Sequence, residues 1–127
     1  MLTIKTYLGK KMYSFTMPWP PSVNGYWRAF KGRQIISKRG RDYRKQAVDR
    51  MKELNLNGEM LKSNLSVSLV LNPPTLRRYD IDNFNKGLFD SMSEAKFWED
   101  DEQVHRLTIR KGVKTKGGNV EVIVKII

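Results

Sequence analysis

Apolar residues recur along the chain with two distinct periods, and each period predicts an element. Met12 to Met17 alternates among β-forming residues, which predicts a strand. It runs into Pro18, Pro20 and Pro21, which cannot continue a ladder. Pro18–Arg28 therefore reads as a loop carrying rigid prolines and the aromatics Trp19, Tyr26 and Trp27. From about Arg39 to Leu54, the residues Tyr43, Ala47, Val48, Met51 and Leu54 fall at helical spacing. Arg41, Arg44, Lys45 and Lys52 are left largely on the opposite face, and Asn55–Gly58 closes the helix.

Leu65, Val67, Leu69 and Leu71 then alternate within Asn64–Leu71, a second strand ended by Asn72-Pro73-Pro74. The helical period returns with Phe84, Leu88, Met92 and Ala95, with Phe89 alongside. That predicts a helix opening near Asp82 or Asn83 and ending before Trp98. Two further strands, about Val104–Lys111 and Asn119–Ile126, are joined through Thr115-Lys116-Gly117-Gly118, a hairpin signal. The order β-α-β-α-β-β predicts one α/β (α+β) domain over residues 1–127, a mixed sheet of about four strands packed with two main helices.

Composition narrows the function. The 127 residues contain no cysteine and one histidine, His105, which excludes disulfide scaffolds, Cys/His zinc sites and thiol nucleophiles. His105 reads as a strand residue rather than a catalytic base. No apolar run approaches the ~18 residues of a membrane span, and MLTIKTYLGKK lacks the apolar stretch and cleavage site of a signal peptide. With 24 Lys+Arg against 13 Asp+Glu, the net charge is +11. The expectation is a soluble, cytoplasmic protein that meets a polyanion and associates with the nucleoid.

The charge is also segregated. Residues 80–102 hold eight acids and two bases, whereas Arg28–Lys52 holds ten bases against Asp42 and Asp49, and Arg106–Lys116 five bases and no acid. An acidic island repels a nucleic acid in a simple binder; in a nuclease it is where a metal ion sits. Within it, Asp80 and Asp82 flank Ile81, so an extended strand end presents both carboxylates on one face. Asp82, Lys86 and Asp90 are four apart and share one face of a helix, and Asp100 or Asp101 arrives from the helix's far end. Two or three carboxylates plus a substrate phosphate suit Mg²⁺, and a nearby lysine neutralises charge developing on phosphoryl oxygens.

Each piece also has a plainer reading. Asp80 or Asp82 can be a helix N-cap, Asp82 and Lys86 a surface ion pair, and Asp90 a solvated helix position. What favours chemistry is the joint occurrence of these residues in a strongly basic chain, next to Arg77-Arg78.

The ordered set PWPPSVNGYWR, RRYDIDNFNKGLFD, FWEDDEQV and VKTKGGNVEVIV resembles the RusA family of Holliday-junction resolvases along nearly the whole chain. The resemblance implies a small homodimeric α/β endonuclease that binds four-way junction DNA and makes symmetrically paired nicks with Mg²⁺, for which Mn²⁺ substitutes. It puts the metal-binding aspartates at Asp80, Asp82 and Asp101 and the essential lysine at Lys86; Asp100 matches a neighbouring family aspartate. The chain departs from the family pattern in Tyr79, in having only two arginines before Asp80, and in a longer amino terminus. Expected DNA contacts are Arg77, Arg78, Lys86, Arg28, Arg41, Arg44 and Lys45. Trp19, Tyr26 and Trp27 either stack at the junction centre or pack the core, with packing favoured for at least one. The competing readings are a non-catalytic, structure-selective nucleic-acid binder and a metal nuclease for other branched DNA or RNA.

Overall fold

A computed structural model describes residues 2–127 of the chain. Strand β1 (Thr3–Tyr7) turns through Leu8-Gly9 into β2 (Lys10–Pro18). One helical turn, α1 (Val23–Tyr26), leads into a separate ribbon of β3 (Trp27–Phe30) and β4 (Arg33–Ile36). Helix α2 (Lys38–Glu53), β5 (Leu65–Asn72), α3 (Asn85–Glu94), β6 (Val104–Lys111) and β7 (Asn119–Ile126) complete the chain. Two 3-10 turns, Ile81–Asn83 and Asp101–Gln103, precede α3 and β6.

The main sheet has five strands in the order β1-β2-β7-β5-β6, and only the β5–β6 pair is parallel. Alternation sets which face is buried: Tyr13, Phe15 and Met17 of β2, Val67 and Leu69 of β5, and Val122 and Val124 of β7 all point to one side. Helices α2 and α3 cover that side with Tyr43, Ala47, Met51, Leu88 and Met92. Trp98 is fully buried, and its indole N–H donates to Ser93 Oγ at 2.7 Å. No helix among the described residues is long and apolar enough to cross a membrane.

The mixed α/β architecture and both main helices agree with the sequence reading, but two points differ. First, β6 and β7 do not form a hairpin, because β5 lies between them. The connection after β6 is bound to the end of β5: Gly112 N–H donates to Leu71 O at 2.7 Å, Thr115 N–H to Pro73 O at 2.9 Å, and Val113 N–H to Asn72 Oδ1 at 3.1 Å. Buried Asn72 also donates to Asn119 Oδ1 and Glu121 Oε2, both at 2.9 Å, so its amide ties the crossing segment to β7. Gly112 has no space for a side chain against that amide. The Gly-Gly turn is real, but long-range hydrogen bonds decide what it joins.

Second, β1 and the β3–β4 ribbon add three strands. Both hairpins turn through two residues at positive φ, Leu8-Gly9 (53° and 76°) and Lys31-Gly32 (49° and 74°), the twist that tight hairpins require. Where β1 ends its pairing, Arg50 takes over the free edge of β2, donating from Nε to Thr16 O and from Nη2 to Thr16 Oγ1, each at 3.0 Å.

Candidate active site

The segment that carries Asp80 and Asp82 is fixed by the residues around it. Tyr79 and Phe84 bracket the Ile81–Asn83 turn and pack with Trp19, with ring centroids 4.8–5.9 Å apart. Lys111 Nζ lies 4.5 Å from the centre of the Tyr79 ring. Trp19 therefore packs; Tyr26 is fully buried, and Trp27 is half-buried against it. With the flanking aromatics directed inward, Asp80 and Asp82 stay exposed on the turn, which packs against β6.

These two carboxylates do no structural work. Asp80 occupies the N-cap position of its turn, extended at φ −97° and ψ 136°, yet its side chain caps nothing. Phe84 stands at the N-cap of α3, so no side chain caps that helix either. Among the described residues, Asp80 and Asp82 enter no ion pair and accept no side-chain hydrogen bond. Asp82 belongs to the 3-10 turn and not to α3, so the expected Asp82–Lys86 helix pair does not form.

The second group of charges gathers at Lys86. Its Nζ donates to Asp90 Oδ1 at 3.0 Å, which together with the burial-opposed charge balance around it holds the lysine above its ordinary pKa. Asp90 is only 19% exposed, so it is a partner of Lys86 more than a solvated position. Asp100 accepts the Glu102 N–H at 2.9 Å, which holds its carboxyl below the ordinary value. Burial pushes Asp101 up, Asp100 beside it adds to the rise, and the Lys86 charge opposes it. Lys86, Asp90, Asp100 and Asp101 thus sense one another. Asp80 and Asp82 stand on a different turn, and among the described residues no three acidic or histidine side chains converge closely enough to hold a metal.

A groove of about 800 Å³ runs beside the aspartate turn, and Tyr79 and Phe84 form part of its wall. Arg77 and Arg78, both exposed, line it together with Lys38, Arg39 and Asp42, and Lys38 Nζ is paired with Asp42 Oδ2 at 2.8 Å. Lys38 and Arg39 open α2, whose first turn contains no acid and whose N-cap Ser37 accepts the Gly40 N–H at 3.0 Å. A helix start of this kind favours phosphate. Lys38 and Arg39 lie within the basic Arg28–Lys52 tract that the sequence offered for phosphate contact. What the sequence did not single out is their place at the helix start, for which Ser37 immediately before an amphipathic helix was the signal.

The remaining expected DNA contacts diverge. Arg28, Arg41 and Lys45 are exposed, and Lys45 is shared with Asp49 at 3.0 Å. Arg44 turns inward, donating from Nη2 to Tyr26 OH at 2.9 Å, while its buried Nε has no partner. Periodicity put Arg44 on the outer face because it could not show the Tyr26 hydroxyl waiting beneath.

The model of the endodeoxyribonuclease RusA family matches residues 18–127. This chain belongs to that family. It is 41% identical over 108 residues to the crossover junction endodeoxyribonuclease of Enterobacteria phage HK97, covering 85% of this chain and 89% of that protein. It is 38% identical over 112 residues to the RusA crossover junction endodeoxyribonuclease of Escherichia coli K12, covering 88% and 92%. The phage 82 protein of the same name is 38% identical over 116 residues. β1 and most of β2 precede the matched segment, so one of the two edge strands of the sheet lies outside it.

Proposed function

We propose that this protein is a divalent-metal-dependent endodeoxyribonuclease that resolves four-way DNA junctions by paired symmetric nicks in DNA recombination and repair. The observation that carries the reading is the Asp80–Asp82 turn. Two exposed carboxylates are held by aromatic anchors beside a cationic groove, and the fold makes no use of either. The relatives' shared name supplies the substrate class.

The donors fit a hard cation. Mg²⁺ is held through one or two carboxylates together with waters and substrate phosphates, and Asp80 and Asp82 are free to serve. Asp101, on the other turn and not gathered with these two among the described residues, is the third carboxylate that the family resemblance offers, and Mn²⁺ accepts the same oxygen donors. Such an ion, when bound, polarises the scissile phosphate and lowers the pKa of an attacking water.

The chain's own groups do the rest. Lys86, at the second position of α3, leaves Asp90 to donate to the phosphoryl oxygens, where its charge offsets the charge developing in the transition state. The first N–H groups of α3, uncapped by any side chain, face anionic oxygen favourably. Arg77, Arg78, Lys38, Arg39 and the start of α2 hold the strand backbone in the groove, with Arg28, Arg41 and Lys45 extending the cationic surface. Two cuts in a near-two-fold junction suit a homodimer acting at the nucleoid in the cytoplasm.

The test is a panel of four-way junction, flap, linear duplex and RNA of matched sequence with Mg²⁺. Paired nicks confined to the junction support the reading. Cutting of flap or RNA at the junction's rate overturns its specificity, and junction binding without nicking leaves an architectural binder.

A further inference from the structure

The β3–β4 ribbon belongs to neither the main sheet nor the two helices that cover it. Residues 27–36 contain Arg28, Lys31 and Arg33 and no acid. In the antiparallel register Phe30 pairs with Arg33 and Arg28 with Ile35, so Arg28, Phe30 and Arg33 share one face. Phe30 sits next to the Lys31-Gly32 turn and is 43% exposed. Its ring is flanked by two cations, the Arg28 guanidinium at 5.3 Å and the Lys31 ammonium at 5.4 Å from the centroid.

An exposed phenylalanine at a hairpin tip adds nothing to the core. Among the described residues only Tyr7 is comparably exposed as an aromatic, and it lies on β1, at the sheet edge opposite β6. The aromatics that the sequence offered for stacking, Trp19, Tyr26 and Trp27, are committed to packing.

The ribbon's base is rigid and borders the site. Ser37 N–H donates to Tyr26 O at 2.9 Å, Ser37 Oγ donates to Gly25 O at 2.6 Å, and Arg41 Nη1 donates to Ile36 O at 3.0 Å. At Gly40 an added Cβ would lie 2.6 Å from Tyr26 O, so only glycine lets α2 approach this closely. Tyr26 in turn rests on α3: a Cβ at Gly87, the residue after Lys86, would lie 3.0 Å from its ring. The tip is thus an aromatic ring with two cations over it, projected from a clamp that touches the neighbour of Lys86; for a base to stack there, the Arg28 and Lys31 head groups swing out to the flanking phosphates.

We propose that the β3–β4 ribbon is a branch-point finger, with Phe30 stacking on a base unpaired at the junction centre while Arg28, Lys31 and Arg33 hold the flanking phosphates. Aromatic side chains bind unpaired bases by stacking, apolar wedges open base steps, and a two-stranded ribbon is narrow enough to enter DNA. The inference rests on the junction-resolvase reading and adds to it a residue that distinguishes a branch point from continuous duplex.

The test uses full-length protein with EDTA, so that nothing is cut, and a four-way junction carrying 2-aminopurine at the branch point. Wild-type protein is expected to raise the fluorescence as the base leaves its stack. Phe30→Ala abolishes the rise and reduces the ratio of junction to duplex affinity roughly tenfold, the size of one lost base–aromatic stack. Phe30→Tyr, which keeps the π-face, restores both. A Phe30→Ala protein that matches wild type in fluorescence and in affinity ratio overturns the finger while leaving the resolvase reading intact. A wild-type protein with no preference for the junction overturns both, and Mg²⁺-dependent nicking separates that outcome from the first.

Discussion

Two 3-10 turns, Ile81–Asn83 and Asp101–Gln103, each begin after an aspartate in the N-cap position, and they use it in opposite ways. Asp100 makes a complete capping box: its carboxylate accepts the Glu102 N–H, while its own N–H donates to Gln103 Oε1 at 2.8 Å. Gln103 then donates from Nε2 to Leu61 O and Ser63 O, tying that turn to the segment before β5. Asp80, in the same position and also extended but at φ −97° against −159° for Asp100, caps nothing. Residue type is the same, but the backbone at the cap differs in φ and the two turns are anchored differently. The first turn is held by Tyr79, Phe84 and Trp19 and needs no cap. Its aspartates are therefore free for a ligand, whereas Asp100 supports the fold.

The comparison predicts opposite mutational signatures. Asp80→Asn is expected to reduce junction nicking by roughly a hundredfold or more in a quantitative gel assay, as loss of a metal ligand should. Junction affinity is retained or rises, because a negative charge leaves the DNA-facing surface, and Tm is unchanged. Nicking at the wild-type rate would remove Asp80 from the site. Lys86→Ala comes next, with a loss of about a hundredfold in single-turnover cutting and little change in binding, since the charge matters most in the transition state.

Asp100→Ala reads out in stability, lowering Tm by roughly 2–4 °C through the lost cap. Asp100 has its carboxyl below the ordinary value near 3.8, so its contribution is present above that pH and disappears as pH falls through the lowered native value. Asp101 has the reverse sign. Burial raises its native pKa, so below 3.8 wild type and Asp101→Asn have equal stability. Above 3.8 the unfolded chain ionises first, so wild type loses stability relative to the variant until pH passes the raised native value, and it stays the less stable beyond that. In EDTA at neutral pH, thermal melts should therefore place Asp100→Ala below wild type and Asp101→Asn slightly above it, even though the latter cuts poorly. Both variants melting below wild type would assign Asp101 to structure as well.

The smallest effect is expected at Asp90. Its i,i+4 pair with Lys86 is worth a few tenths of a kcal/mol, roughly 1 °C or less in Tm. Asp90→Asn frees Lys86, so a large loss of stability would show that the pair belongs to the scaffold.

How much of this was legible depended on whether the deciding force was local. The apolar stripe of α2 and the alternation of β5 follow from burial on one face, and periodicity reports that directly. β1 and the ribbon strands escaped notice because they are short and largely exposed, and their turns use Leu8-Gly9 and Lys31-Gly32 without the Asn or Asp that usually marks such a hairpin. The false hairpin of β6 and β7 arose because Asn72, more than forty positions away, controls where the Gly-Gly turn leads. At the site, the pairing of Asp with Asp around Ile81 identified the carboxylates as candidates. Periodicity could not separate Asp80 from Asp100, since that distinction rests on a through-space aromatic cluster.

The most direct test of the central claim is to form the protein–junction complex in EDTA, add Mg²⁺, and count strand scissions per junction. The account predicts two symmetric nicks on opposing strands, none before Mg²⁺ is added and none on a matched linear duplex. A junction that stays bound and uncut at every concentration of Mg²⁺ or Mn²⁺ would contradict it and leave Asp80 and Asp82 as surface charge.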